Sequence, residues 1–344
     1  LTLLTWLQVI FGPTPYSMRI VNALLFVTGA ALLFRVARTS FGSVPAFLGL
    51  GILLFLPSLF VASVSLLKES LYFLVASTLT VSSIWAIRSA RSGPWGQLAA
   101  AIVVAAASLW LLDDLRRGAV ILAAAGLALA AVLRGVAVSR RRLLATATIA
   151  AITLTGALTQ PAIQERVLPG ISSLAKMHAG HVFTVGHSYK LMDEGFYKNP
   201  EAPMAWDLRL SGPQAARFLV RGLLSFAATP LPWQMRSLSE LAFMPEHLLW
   251  YVLLAMLPLG VVVGWRHDPW ATCVLVGLAV PAAVALALTT GNVGTLLRFR
   301  GLVTPYFVWL SALGLCAAAE WLLARRAARL NTRVAGMRFS GEPS

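Results

Sequence analysis

About nine runs of apolar residues, each closed by a cluster of arginines or by a glycine or proline break, dominate this chain. No other feature constrains its fold as strongly. A helix rises 1.5 Å per residue, so crossing a hydrocarbon core of roughly 30 Å takes about 20 residues. In lipid, every backbone group must find its partner inside the protein. The runs are 20–34, 44–62, 71–87, 97–112, 118–133, 143–158, 247–264, 270–288 and 302–323. Of the 344 residues, 58% are hydrophobic and 12% charged, about half the charge of an ordinary soluble domain. The short alternating strands of a transmembrane barrel are not visible. The expected fold is all-α: a polytopic transmembrane helical bundle of about nine spans with one longer extracytoplasmic loop.

The basic residues give this bundle a direction. Arg35/Arg38, Arg88/Arg91, Arg134 with Arg140–Arg142, Arg266 and the tail arginines fall after every second span. Positive-inside logic puts them in the cytoplasm. Lys68-Glu69, Asp113–Arg117 and Gly291–Arg300 then lie together on the outer face. The net charge of +15 is therefore a topological signal, and no nucleic-acid partner is expected. Four segments follow: a transmembrane module over 1–158, an extracytoplasmic region over 159–246, C-terminal spans over 247–323 and a basic cytoplasmic tail over 324–344. Within the second, 213–228 is amphipathic and is expected to lie at the interface. No internal repeat is visible, so an inverted-repeat transporter is not suggested.

Residues 1–11 are apolar and end at Gly12-Pro13-Thr14-Pro15. They read as the tail of a spanning helix or as an interfacial helix. Because the chain opens on Leu1 inside an apolar segment, an earlier segment is expected. Cys273 and Cys316 sit in apolar runs and give no disulfide framework.

Ionisable groups at membrane depth are costly, so those at one face are functional candidates. Arg19, Lys68, Glu69, Asp113, Asp114, Arg298 and Arg300 all fall on the outer face. Arginine recognises phosphate oxygens in a fixed fork, and a carboxylate can take a proton from a hydroxyl or hold a metal. Solvated loop charge explains the same residues. The segment GNVGTLLRFR, 291–300, brings two glycines near two arginines, a pattern that suits an anion and equally a plain loop. His178, His181 and His187, with Asp193 and Glu194, form a sparse cluster. A zinc site and an ordinary polar loop both account for it. No nucleotide-binding, CxxC or Ser-His-Asp pattern is present.

The segments FGPTPYSMRIVNALL, LLFRVARTSFGS and LPSLFVASVSLLKES resemble the GT-C class of integral-membrane glycosyltransferases, as do PLPWQMRSLSEL and GNVGTLLRFRGLVTPYF further on. The resemblance implies transfer of a sugar from a polyprenyl-phosphate donor to a lipid, glycan or protein acceptor at the outer face of a bacterial plasma membrane. It implies a multi-pass protein with its C-terminus in the cytoplasm. It also implies a catalytic base, an Asp in a first loop upstream of Leu1, with Glu69 as the second acid, binding a divalent metal or substrate. Arg19, Lys68, Arg298 and Arg300 are then the groups for the donor phosphate. The rivals are a transporter or flippase, a polymerase of lipid-linked glycans with its active region at 209–236, and a non-catalytic assembly partner. A transporter would show polar groups along a path and helices broken by Gly or Pro.

Overall fold

The computed structural model describes residues 15–65, 68–136, 160–182, 209–234, 243–291 and 293–339, with isolated residues between these segments and near the N-terminus. Among them every long element is helical. They are α1 (Pro15–Phe41), α2 (Ser43–Phe55), α3 (Pro57–Val64), α4 (Glu69–Ser92), α5 (Trp95–Leu115), α6 (Ala119–Val136), α7 (Pro161–Val182), α8 (Gly212–Ala228), α9 (Met244–His267), α10 (Pro269–Thr289), α11 (Val293–Arg300) and α12 (Thr304–Phe339). Seven helices are long and apolar enough to cross a membrane, or up to eight if the bent pair α2–α3 is one span. The protein is a polytopic helical bundle. The expected run at 143–158 lies outside the continuously described residues.

Lipid supplies little hydrophobic drive between helices, so close backbone approach and good packing hold them together. Two glycine pairs carry this. Gly260 on α9 faces Gly314 on α12, and a methyl group on Gly260 would overlap the Leu310 carbonyl. Gly126 on α6 faces Gly277 on α10, each against the other's carbonyl. The main core runs from Leu33 and Leu53 through Leu79 to Leu253, Trp309 and Leu310.

One expectation is corrected and one refined. The run 44–62 is not one straight span: α2 and α3 meet at 60°. Pro57 has no N–H to continue the α2 ladder, and it holds Leu56 in an extended conformation, φ −65° and ψ 117°. In the region 159–246, α8 falls where the amphipathic helix is expected, but it is packed on the bundle and not alone. The region contains α7 and α8, which share a small core of Ala175, Leu210, Ala215 and Phe218 with Leu288 of α10. Helix α8 begins at a reciprocal Ser211–Gln214 capping box, and its Phe218, Gly222 and Phe226 are buried against the bundle.

The charged groups collect at two opposite ends. At one, Lys68 reaches the Leu115 carbonyl and Glu69 meets Arg298. At the other, Arg88 meets Asp268. This is the grouping the alternating charges require.

Candidate functional site

The break at Leu56-Pro57 exposes backbone groups at both ends of the short helix α3, and two other helices satisfy them. At its start, the Ser58 N–H donates to Glu246 Oε2 of α9 at 3.0 Å. At its end, the Asn22 amide of α1 donates to the carbonyls of Ala62, Ser63 and Ser65 at 3.2, 3.0 and 2.6 Å. Held this way, α3 forms one wall of a cavity of about 390 Å³. Helices α1, α4, α9, α11 and α12 supply the rest. The volume falls in the range of small-molecule sites.

The walls are largely apolar, with Phe26, Leu33, Leu59, Phe73 and Leu297 among them. The polar groups lie mostly on α4, with Glu246 and His247 from α9 and Arg298 from α11. Arg298 Nε donates to Glu69 Oε1 at 3.1 Å, and its Nη2 donates to the same oxygen. The second oxygen, Oε2, is buried and finds no partner among the described residues. The hydroxyls of Ser70 and Ser77, seven residues apart on one face of α4, are in the same position. All three residues line the cavity. Buried polar groups are nearly always paired, and three residues lining the cavity carry unpaired ones, as Ser83 of α4 and Ser225 of α8 do elsewhere in the bundle.

The other candidates are placed differently. Arg300 is buried and lies outside the cavity lining. Its guanidinium donates to the Phe226 carbonyl and, at 2.5 Å, to the Thr229 carbonyl, capping the C-terminal end of α8. It also lies over the Trp250 ring, 4.7 Å from its centroid. Burial lowers its pKa to about 9, with Tyr251 and Glu246 opposing, and it remains a cation at neutral pH. Lys68 is exposed and donates to the Leu115 carbonyl at 2.9 Å, capping α5. Arg19 is exposed on α1, three residues before Asn22, and does not line the cavity. Asp113 accepts the Gly118 N–H at 2.9 Å, closing a turn in which Gly118 has φ +83°. Asp114 is exposed. Arg116 lies over Phe299, 4.8 Å from the ring centroid, so the α5–α6 turn covers α11. The segment 291–300 is mostly helix rather than open loop.

His178 is buried on α7, edge-on to Phe218. The side chain of His181, and all of His187, Asp193 and Glu194, lie outside the described residues. Sequence reasoning passed over Ser58, Ser70, Ser77, Glu246 and His247, all of which line the cavity. The available signal was Glu246, an acid in the first turn of an apolar helix.

For a divalent cation, Glu69 offers little by itself. One Glu69 oxygen is taken by Arg298, which leaves a single carboxylate oxygen as a protein ligand there. No cluster of three His, Cys, Asp or Glu side chains occurs among the described residues. The arrangement instead suits an amphipathic molecule, with its apolar body among the helices and a polar group at Glu69 and Arg298. Comparison with protein-family models, curated proteins and solved structures gives no match to this chain.

Proposed function

We propose that this chain is a membrane glycosyltransferase of the GT-C kind, moving a sugar from a polyprenyl-phosphate donor to an acceptor hydroxyl at the outer face. The observation that supports it best is the cavity itself: an apolar chamber inside a bundle, with a half-satisfied carboxylate and an arginine at its polar side. The isoprenoid occupies the apolar part. The phosphate lies towards Arg298, whose side chain is about half exposed.

In the reaction, the acceptor oxygen forms a bond to the anomeric carbon as the bond from that carbon to the phosphate oxygen breaks. The phosphate leaves with the electron pair, and Arg298 offsets its charge. Glu69 Oε2 hydrogen-bonds the acceptor hydroxyl and receives its proton. Arg300 and Lys68 hold helix ends around the site. The test is transfer from a polyprenyl-phosphate sugar by the full-length protein in proteoliposomes, beside Glu69→Gln. Unchanged turnover in the variant removes Glu69 from the mechanism.

One observation favours a second reading, a transporter or flippase of a lipid-linked substrate. The α2–α3 break sits on the cavity wall, and broken helices mark substrate sites in transporters. Movement of the intact lipid-linked sugar across the bilayer, with no glycosyl transfer, would select it.

A further inference from the structure

At the end of the bundle away from the cavity, the last turns of α4 and α6 meet the first turn of α10. Each brings one residue. Arg91 and Arg134 lie over the Trp270 ring, with their guanidinium carbons 5.2 and 5.6 Å from its centroid. Two cations sharing one aromatic ring repel each other unless an anion sits between or beside them. The adjacent carboxylate does not serve. Asp268 Oδ2 accepts from Arg88 and Ser40, and Oδ1 accepts from the Trp270 and Ala271 backbone N–H groups. Two donors in this cluster are also buried without a partner: Arg134 Nε and Trp270 Nε1. Arg91 adds an exposed guanidinium.

We propose that Arg91, Arg134 and Trp270 form a binding site for a phosphate group. Three features converge on that chemistry. A tetrahedral anion accepts several N–H donors at once, arginine matches it with a fork, and the charge neutralises both cations. The position at the helix ends is the depth of a phospholipid headgroup. A site of this kind neutralises the like charges at a junction that the Gly126–Gly277 contact and the Arg88–Asp268 pair already hold together. It is separate from the cavity and does not depend on the proposed reaction.

The test uses the full chain in detergent, titrated with short-chain phosphatidylglycerol, with phosphatidylcholine, or with inorganic phosphate, and reads the thermal unfolding midpoint. Saturable stabilisation by phosphatidylglycerol is expected, with affinity about tenfold weaker in Arg91→Gln/Arg134→Gln. Trp270→Phe keeps the ring and loses the donor, so it reports on the site even if the double variant fails to fold, and a smaller loss of affinity is expected. Stabilisation by phosphatidylglycerol alone assigns a lipid headgroup. Stabilisation by inorganic phosphate as well assigns a free phosphate, and both outcomes support the site. The proposal is overturned if all three ligands act alike on wild type and variants. It is also overturned if Arg35→Gln/Arg38→Gln, which removes exposed charge on α1, weakens binding as much.

Discussion

Among the described residues each end of the bundle holds one arginine–carboxylate pair, and the two pairs are built to opposite standards. Arg88–Asp268 is complete. Both carboxylate oxygens accept two hydrogen bonds, from Arg88, Ser40 and the first N–H groups of α10. Arg298–Glu69 is half complete. One oxygen takes both arginine donors, and the other is buried with no partner among the described residues, on a residue that lines the cavity. A buried polar group left unpaired costs about 1–3 kcal/mol, a cost the fold bears where a ligand repays it. The complete pair fastens α1, α4 and α10. The incomplete one leaves an oxygen for something else.

The largest effect should separate the two carboxylates. Glu69→Gln should lower glycosyl transfer about 100-fold or more, the scale of a lost general base. Its unfolding midpoint should stay near wild type, because the arginine partner is half exposed and screened. Asp268→Ala should do the reverse. It loses a helix N-cap and a charged pair, for about 1–3 kcal/mol, while turnover in the folded fraction persists. Transfer assays and thermal scans on the same preparations read both. Loss of stability in Glu69→Gln as large as in Asp268→Ala would erase the contrast.

The arginines come next. Arg298→Gln should raise the KM for a phosphate-bearing donor about tenfold, as expected for one lost charge-assisted contact. Arg88→Gln should leave that KM unchanged. Steady-state kinetics against donor concentration decides it, and equal KM values for the two variants would remove Arg298 from the phosphate.

Much of this contrast could not be read along the chain. The grouping of charges into two ends was legible, because apolar runs of span length leave each arginine cluster only one side to occupy. The helical class was legible for the same reason. The 60° bend was legible in principle: Leu56-Pro57 interrupts a run, but apolar periodicity continues through it and masks the break. The different uses of Arg298 and Arg300 follow from helix geometry. Residues two apart lie about 200° apart around the axis, so one faces the cavity while the other is driven into the bundle. That required knowing 293–300 to be helical. The clamp of Glu246 on Ser58 spans 188 residues, and no local pattern carries it. Ser70 and Ser77 were illegible for another reason. Serines are common in membrane helices, and what marks these two is a missing partner together with a place on the cavity wall, since Ser83 lacks a partner too.

Acid should weaken one of the two pairs in a defined direction. Burial pushes the Asp268 carboxyl up, but the Ala271 N–H and the hydrogen bonds from Arg88 and Ser40 outweigh it. The folded-state pKa therefore lies below the ordinary 3.8. A group depressed on folding contributes its stability in full above its unfolded value and loses it as pH falls through the folded value. The difference in unfolding midpoint between wild type and Asp268→Asn should thus be constant above 3.8 and close below it. A gap that stays open at lower pH would mean that the ionised carboxylate is not what fastens α10.

The smallest effect is expected from single hydroxyls, and it is the most specific. Ser40 Oγ donates to Asp268 Oδ2 at 2.9 Å and accepts from Arg88 at 2.7 Å, so Ser40→Ala removes a made bond and should cost about 1 kcal/mol. Ser77 Oγ is buried and makes none among the described residues, so Ser77→Ala removes an unpaired group and should be neutral or slightly stabilising. If the cavity holds a ligand with polar atoms, the same change should raise KM a few-fold, about the value of one neutral hydrogen bond. Opposite signs in stability, with a binding effect only at Ser77, would show that the unpaired groups at one end serve a ligand. Destabilisation by Ser77→Ala equal to that of Ser40→Ala would mean that the Ser77 hydroxyl is part of the fold.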